Sequence, residues 1–285
     1  MKYFCSIFIY LLSIVNMNAQ VLWKVFNNNT NGVSYLLGSH HNCDGNFCDS
    51  IPGFKTALDN VSVVYGELAA SEVASADNLR LMKEYMMLPN DIKLSELFSP
   101  SERICINEKL EAIFNKPISY FDVMKPATLA VYIQDAVRAM SYGVPQKSMD
   151  DFVRESAERK MKTTKGLETI EAQLDMLYGL SLEEQAQDLL ELIKNANLQS
   201  GAIKMLDAYK SLDLDHIWKL YKNDQSKKEY NRTIKQRNIN WMPTIESAIQ
   251  AEPSLFVVGV GHLPGKYGLV NMLRKVGYTV VPVTE

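Results

Sequence analysis

A short apolar run near the C-terminus, Leu255 to Val258, constrains the fold more than any other stretch of the chain. It is followed by Gly259-Val260-Gly261-His262-Leu263-Pro264-Gly265, and this pattern predicts a buried strand that ends in a tight turn. The glycines allow the backbone to approach another group closely. Because α/β proteins bind ligands just beyond the carboxyl ends of their strands, His262 is a candidate functional residue.

The same pattern occurs near the other end of the chain, where Tyr35-Leu36-Leu37 is followed by Gly38-Ser39-His40-His41. In both places an apolar strand is followed by glycine, two residues and histidine. The chain has only four histidines in 285 residues, so two of them in one matching pattern indicate a shared site. We therefore expect His41 and His262 to lie together, on two neighbouring strands of one sheet.

A glutamate is predicted at the end of a third apolar strand, Val61 to Leu68. Alternation along the strand places Glu67 on the same face as Val63 and Tyr65, and an unpaired buried carboxylate is costly. Two neutral imidazoles and one carboxylate are the minimal protein ligands for a divalent metal that keeps a position open for water. Such a metal lowers the pKa of its water to about 7, which makes hydrolysis of an amide or ester feasible near neutral pH.

These motifs also have other interpretations. His41 and His262 could each be hydrogen-bonded core residues, and Gly259-Val260-Gly261 lacks the third glycine of a dinucleotide-binding motif. A structural zinc could be held by His40, His41, Cys43 and Cys48. In an exported chain, however, Cys43 and Cys48 in a turn-rich segment favour a disulfide.

The N-terminal residues have the three regions of a secretory signal peptide: Met1-Lys2, an apolar stretch from Phe4 to Val15, and the small residue Ala19 at the expected cleavage position. We predict a signal peptide over residues 1–19 and export to the periplasm or the extracellular space. No later segment approaches the roughly 20 apolar residues that a membrane helix needs, so no membrane span is expected in the mature chain. A net charge of −3 gives no electrostatic footprint for nucleic acid.

Predicted strands lie towards the two ends of the chain, and predicted helices fill most of the middle. The expected strands are residues 20–26, 33–37, 61–68, 255–258 and 279–283, with a further candidate at 162–167. The economical interpretation is an α/β fold whose mixed central sheet is built from both chain termini, with a large helical insertion over about residues 71–250. We expect residues 20–285 to form a single domain.

With these motifs the sequence resembles the TraB/GumN family, whose animal relatives are the Tiki metalloproteases. The matches span nearly the whole predicted mature chain: Leu37-Gly38-Ser39-His40-His41, Glu67, Asp150, Ala157, Gly166-Leu167-Glu168-Thr169, Gln173, Gln185, Arg237-Asn238, Trp241 and the Gly259 to Gly265 motif. The resemblance implies a fold similar to that of erythromycin esterases and ChaN-like proteins, with metal-dependent peptidase activity. The family's usual Gly-Thr-Ile-His is Gly-Ser-His-His here, so His40 is a rival to His41, although the family position favours His41.

Together, the motifs and the resemblance predict an exported metal-dependent hydrolase that cleaves a peptide bond with a metal-activated water. The expected ligands of a Mn, Co or Zn ion are His41, Glu67 and His262, and the expected partner is a peptide or protein substrate. The alternative is a non-enzymatic envelope protein that binds haem or a peptide in the same cleft.

Three further residues are expected to support the reaction. Glu168 would be a general base or a further ligand, or it could only place charge at a helix N-terminus. Arg237 would stabilise the negative charge of a tetrahedral intermediate, or it could form a surface ion pair. Asn238 would position Arg237 or a water.

Overall fold

The computed structural model describes residues 20–27, 29 and 32–284. The predicted signal peptide, residues 1–19, lies outside the described residues. Within these ranges the strands are β1 (Leu22–Phe26), β2 (Ser34–Ser39), β3 (Val63–Gly66), β4 (Thr163–Gly166), β5 (Ser254–Gly259) and β6 (Thr279–Pro282).

The six strands form one mixed sheet in the order β4-β3-β5-β2-β1-β6. Neighbours from β4 to β2 are parallel, whereas β1 pairs antiparallel with both β2 and β6. The predicted α/β class and the sheet built from both ends of the chain are confirmed. Because β2 and β5 are parallel neighbours with Ser39 opposite Gly259, the two Gly-x-x-His motifs leave the sheet side by side.

The helices of the described residues are α1 (Phe54–Asn60), α2 (Ala70–Ala74), α3 (Ala76–Met86), α4 (Pro100–Phe114), α5 (Pro126–Tyr142), α6 (Met149–Arg159), α7 (Ile170–Tyr178), α8 (Leu182–Lys194), α9 (Leu198–Lys210), α10 (Leu214–Asp224), α11 (Lys227–Tyr230), α12 (Gln236–Ala251) and α13 (Leu269–Lys275). A π-helical turn, Asn231–Lys235, lies directly before α12. Among the residues that the structure describes, no helix is both long enough and apolar enough to cross a membrane.

Local sequence signals account for where several helices begin. Ser99 accepts the backbone N–H of Glu102, and the Glu102 carboxylate accepts the N–H of Ser99, which is a complete capping box before α4. Ser181 and Glu184 make the same reciprocal pair before α8. Such a cap contributes about 1 kcal/mol to helix stability, because it satisfies N–H groups that lack partners within the helix.

The buried apolar residues form two large clusters. The first surrounds the sheet and includes residues from β2, β5, α6 and α12, and the second lies within the helical region between α4, α5 and α8. Helices α4, α5 and α8 therefore share a core of their own, while α6 and α12 pack against the sheet. These two helices place side chains at the carboxyl ends of the parallel strands.

Cys43 and Cys48 are free thiols, so the predicted disulfide between them is wrong. Asp44 caps a short 3-10 helix, Gly45–Ser50, by accepting the N–H of Asn46. Both thiols are buried in the core around the sheet. The sequence argument assumed an open, turn-rich segment, but the segment folds into a packed helical turn in which each cysteine serves as a small apolar residue.

Candidate active site

The two Gly-x-x-His motifs pack directly against each other where β2 and β5 end. A Cβ atom on Gly38 would lie only 2.8 Å from Leu263 Cδ1 and 3.0 Å from Val260 Cα. Only glycine therefore allows the turn after β2 to approach the turn after β5 this closely. The Tyr209 hydroxyl donates to the carbonyl oxygen of Gly38 at 2.7 Å and fixes the same turn from the other side.

Three predicted site residues converge around Gly259. A Cβ atom on Gly259 would lie 3.5 Å from Glu67 Oε1, 3.6 Å from His41 Nε2 and 3.7 Å from His262 Cδ2. Glu67 comes directly after β3, and its Oε1 accepts the backbone N–H of Gly259 at 2.9 Å. The structure thus brings the two histidines and the glutamate to one point at the carboxyl edge of the sheet. Their role as metal ligands stays a prediction.

The orientation of His41 is set by a carboxylate on α6. His41 Nδ1 lies 2.8 Å from Asp150 Oδ2, and the Ser39 hydroxyl donates to Asp150 Oδ1 at 2.8 Å. Because a carboxylate accepts, Nδ1 carries a proton and donates. With Nδ1 held by Asp150, the Nε2 atom lies beside Gly259. The Asp150 charge raises the pKa of His41 to about 9, and Glu67 acts in the same direction.

Asp150 is a site residue that the sequence analysis did not assign. Asp150 was matched to the family pattern but was given no role, because the residues around it indicate only the start of a helix. The Ser148 side chain accepts the N–H of Asp151, which begins α6 and places Asp150 in its first turn. A carboxylate at that position also faces the positive end of the helix dipole.

The orientation of His262 is set by Asn238, which is fully buried on α12. The Asn238 Nδ2 group donates to the carbonyl oxygens of His262, at 3.0 Å, and of Tyr267, at 2.7 Å. Its Oδ1 therefore accepts from His262 Nδ1 at 2.6 Å, which leaves a lone pair on His262 Nε2. Burial lowers the pKa of His262 to about 3, so the ring is neutral at neutral pH. The sequence analysis did not assign this orienting role to Asn238.

The Arg237 guanidinium lies between two carboxylates and is only 10% exposed. Its Nη2 is 2.6 Å from both Glu67 Oε2 and Glu168 Oε1, and its Nε donates to Glu168 Oε2 at 3.1 Å. Its Nη1 donates to His262 Nε2 at 3.1 Å, which agrees with the tautomer set by Asn238. Arg237 is therefore a buried ion-pair partner at the centre of the site and not a surface residue.

Glu168 is held by donors from two helices besides Arg237. The Trp241 indole N–H donates to Glu168 Oε2 at 3.0 Å, and Gln173 Nε2 donates to Glu168 Oε1 at 3.2 Å. Trp241 follows Arg237 by one helical turn, and the guanidinium lies over its ring at 4.6 Å. The sequence analysis matched Gln173 and Trp241 to the family without giving them a role.

Glu67 is ionised in this environment although it is nearly buried. Burial opposes ionisation, but the neighbouring Arg237 charge, the two histidines and the Gly259 N–H outweigh it and lower the pKa of Glu67 to about 2. The site therefore contains a carboxylate and two imidazoles whose Nδ1 atoms both donate to fixed partners. Because the pKa of His41 is about 9, its Nε2 carries a proton at neutral pH, and a metal would have to displace that proton to bind there. These are the donor types that Zn, Mn or Co takes.

The arrangement of these donors differs from a formed metal centre. Among residues 20–27, 29 and 32–284, no group of three or more His, Cys, Asp or Glu side chains is placed to hold a metal ion. Two of the candidate donor atoms, Glu67 Oε2 and His262 Nε2, are contacted by Arg237. A divalent cation bound to the same donors would be repelled by the positive charge of the guanidinium. The donors fit a metal by chemical type, and Arg237 would have to withdraw to admit it.

His40 and the neighbouring cysteines do not form the alternative zinc site within the described residues. The His40 ring packs against Tyr209, with 5.3 Å between ring centroids, and His40 Nδ1 accepts the N–H of Asn42 at 3.3 Å. Of the two adjacent histidines, His41 is the one whose Nε2 lies beside Gly259 and near Glu67.

A cleft of about 530 Å³ opens beside this site. It is lined by His41, Glu67 and Asp150 at one end and by Arg154 and Lys165 elsewhere along its wall. Its volume is within the range of small-molecule and short-peptide sites, roughly 300–1,000 Å³.

Sequence comparison agrees with the motifs that build the site. The model of the TraB/PrgY/gumN family matches residues 21–282. The chain belongs to this family. Metalloprotease TIKI1 of Xenopus tropicalis is 22% identical over 301 residues, which cover 87% of this chain and 59% of the relative. The chain thus spans about three fifths of the length of that relative, and no solved structure matches it. The family resemblance seen in the sequence is confirmed.

Proposed function

We propose that this TraB/PrgY/gumN protein is a metal-dependent hydrolase that cleaves peptide bonds. The observation that carries the proposal is the convergence of His41 Nε2, Glu67 Oε1 and the His262 ring around Gly259. These three side chains would hold a divalent metal. When bound, the metal supplies a water of lowered pKa and polarises the carbonyl that is attacked.

The surrounding residues have the positions expected for groups that orient ligands. Asp150 fixes the Nδ1–H of His41, and Asn238 fixes that of His262, so each ring presents Nε2. Partners of this kind hold histidine ligands in one tautomer and one orientation. Glu168 and Arg237, which lie against Glu67, would assist by receiving a proton and by neutralising negative charge on the substrate oxygen.

A peptide substrate is supported by two features. The related TIKI1 protein of Xenopus tropicalis is named as a metalloprotease. In addition, β4 is the last strand of the described sheet on the cleft side, and Thr164 and Lys165 of β4 line the cleft. An extended peptide that added to this edge strand through backbone hydrogen bonds would lie alongside His41 and Glu67.

The expected signal peptide adds a proposal about location. We propose export with cleavage before Gln20, so that the protein meets its substrate in the periplasm or outside the cell. N-terminal sequencing of the protein recovered from the envelope and medium fractions tests this: a chain that starts at Met1 and stays with the cytosol would contradict export.

The test of activity uses protein purified without added metal, measured with a peptide library in the presence and absence of chelator. We expect cleavage that chelator abolishes and added Zn²⁺ or Mn²⁺ restores, and we expect the His41→Asn variant to be inactive. The Ser101→Ala variant, changed at an exposed residue of α4, is the matched control. Peptide or haem binding without cleavage, under every metal condition, would support the non-enzymatic alternative and overturn the hydrolase proposal.

A further inference from the structure

We propose that Arg237 acts as an internal cation that competes with the divalent metal for Glu67 and His262, and that it thereby sets the metal affinity of the site. The inference rests on the proposed function, because it assumes that His41, Glu67 and His262 are the ligands. It goes further by identifying the residue that determines how tightly the site binds a divalent metal.

The competition follows from the atoms involved. Arg237 Nη2 contacts Glu67 Oε2 at 2.6 Å, and Nη1 contacts His262 Nε2 at 3.1 Å. These are a carboxylate and an imidazole lone pair, the groups that would otherwise bind a metal. A guanidinium and a divalent cation cannot both occupy this position without strong repulsion.

The charge of the site favours exchange of one cation for the other. Glu67 and Glu168 carry two negative charges, and Arg237 supplies one positive charge between them. The two carboxylates therefore share one guanidinium. If Arg237 is removed, they remain close together and nearly buried without the guanidinium between them, and their affinity for a divalent ion rises.

Arg237 would keep one carboxylate partner if a metal displaced it from Glu67 and His262. Its Nε and Nη2 form a bidentate pair with Glu168, at 3.1 and 2.6 Å, and the guanidinium lies over Trp241. Releasing Glu67 and His262 therefore breaks two contacts and leaves the pair with Glu168. The π-helical turn Asn231–Lys235 lies directly before Arg237, and such turns are common at functional sites.

The first test measures the Zn²⁺ and Mn²⁺ dissociation constants of the purified protein by competition with a chromogenic chelator. We expect Arg237→Gln to bind metal at least tenfold more tightly than the wild type. The matched control is Arg274→Gln, which removes the same charge from an arginine that contacts Trp23 and the carbonyl oxygen of Val280. Equal affinities of wild type and Arg237→Gln would overturn the inference and leave the proposed function standing.

The second test follows the movement of Arg237 by tryptophan fluorescence. Arg237 lies over Trp241, so its withdrawal should change Trp241 fluorescence during a metal titration, and Trp241→Phe should lose that change while Trp23 and Trp218 still emit. Metal binding with an unchanged Trp241 signal would contradict the movement. If neither wild type nor Arg237→Gln binds metal, both the inference and the proposed metal site are wrong.

Discussion

Substitution of Glu67 by glutamine removes the negative charge at the centre of the site and keeps the shape of the side chain. The wild-type carboxylate accepts from Arg237 Nη2 at 2.6 Å and from the Gly259 N–H at 2.9 Å. A glutamine oxygen can keep one of these hydrogen bonds, but the ion pair with Arg237 is lost. We expect Glu67→Gln to fold, to be less stable than the wild type, and to lose metal binding.

Two independent arguments give the decrease in the free energy of unfolding at pH 7. The pKa of Glu67 falls from its ordinary value of 4.5 to about 2 in the fold, which corresponds to about 3 kcal/mol of stability. Breaking a buried ion pair by removing one partner costs about 3 to 5 kcal/mol. Because Arg237 keeps its pair with Glu168, the lower end applies. We therefore expect the free energy of unfolding to fall by about 3 kcal/mol.

The contribution of Glu67 to stability depends on pH. A carboxylate whose pKa is lowered by folding stabilises the protein fully above its ordinary pKa, and this contribution disappears as the pH falls towards the lowered value. The difference in the free energy of unfolding between wild type and Glu67→Gln should be constant from pH 7 to about pH 5. It should become smaller between pH 4.5 and about pH 2.

The assay is urea denaturation of both proteins across this pH range without metal. Glu108→Gln, changed at an exposed position of α4, is the control and should lie within about 0.5 kcal/mol of the wild type. A Glu67→Gln variant as stable as the wild type at pH 7, or a gap that does not narrow in acid, would refute the ion-pair account.

Three further outcomes follow from the site and its surroundings. Asp150→Asn should lower the pKa of His41 by at least one unit in an NMR titration, because Asp150 is the main cause of its rise to about 9; an unchanged pKa would contradict their pairing. Gly259→Ala should change the free energy of unfolding by less than about 1 kcal/mol, since the added methyl makes ordinary contacts. The methyl should nevertheless block metal binding, and a variant with wild-type metal affinity would contradict the convergence of Glu67, His41 and His262 around Gly259. Cys43 and Cys48 should resist thiol reagents in the native protein and react once it is denatured, because burial raises the pKa of Cys43 to about 11 and that of Cys48 still further; two native thiols that react at once, or a disulfide, would be the opposite result.

The parts of the fold that could be predicted from the sequence depend on local signals. Short apolar runs identified β2, β3 and β5, and the lack of such runs through most of the middle of the chain indicated the helical insertion. The repeated Gly-x-x-His pattern also placed β2 beside β5, since two halves of one site need neighbouring strands.

The parts that could not be predicted depend on tertiary contacts. No local pattern shows that Arg237 reaches both Glu67 and Glu168, because these carboxylates follow different strands and α12 crosses over both strand ends. The same holds for the Asn238 contact with His262. The cysteine spacing was misleading because packing of the Gly45–Ser50 turn buries both thiols, and spacing alone does not reveal burial.

The most direct test of the proposed metal site follows the imidazole nitrogens of all four histidines by NMR while Zn²⁺ is added. We predict that the Nε2 resonances of His41 and His262 shift together and saturate at one metal ion per chain. His40 and His216 should stay unchanged and serve as internal controls. Unchanged His41 and His262 resonances at saturating Zn²⁺, or a shift of His40 in place of His41, would contradict the account.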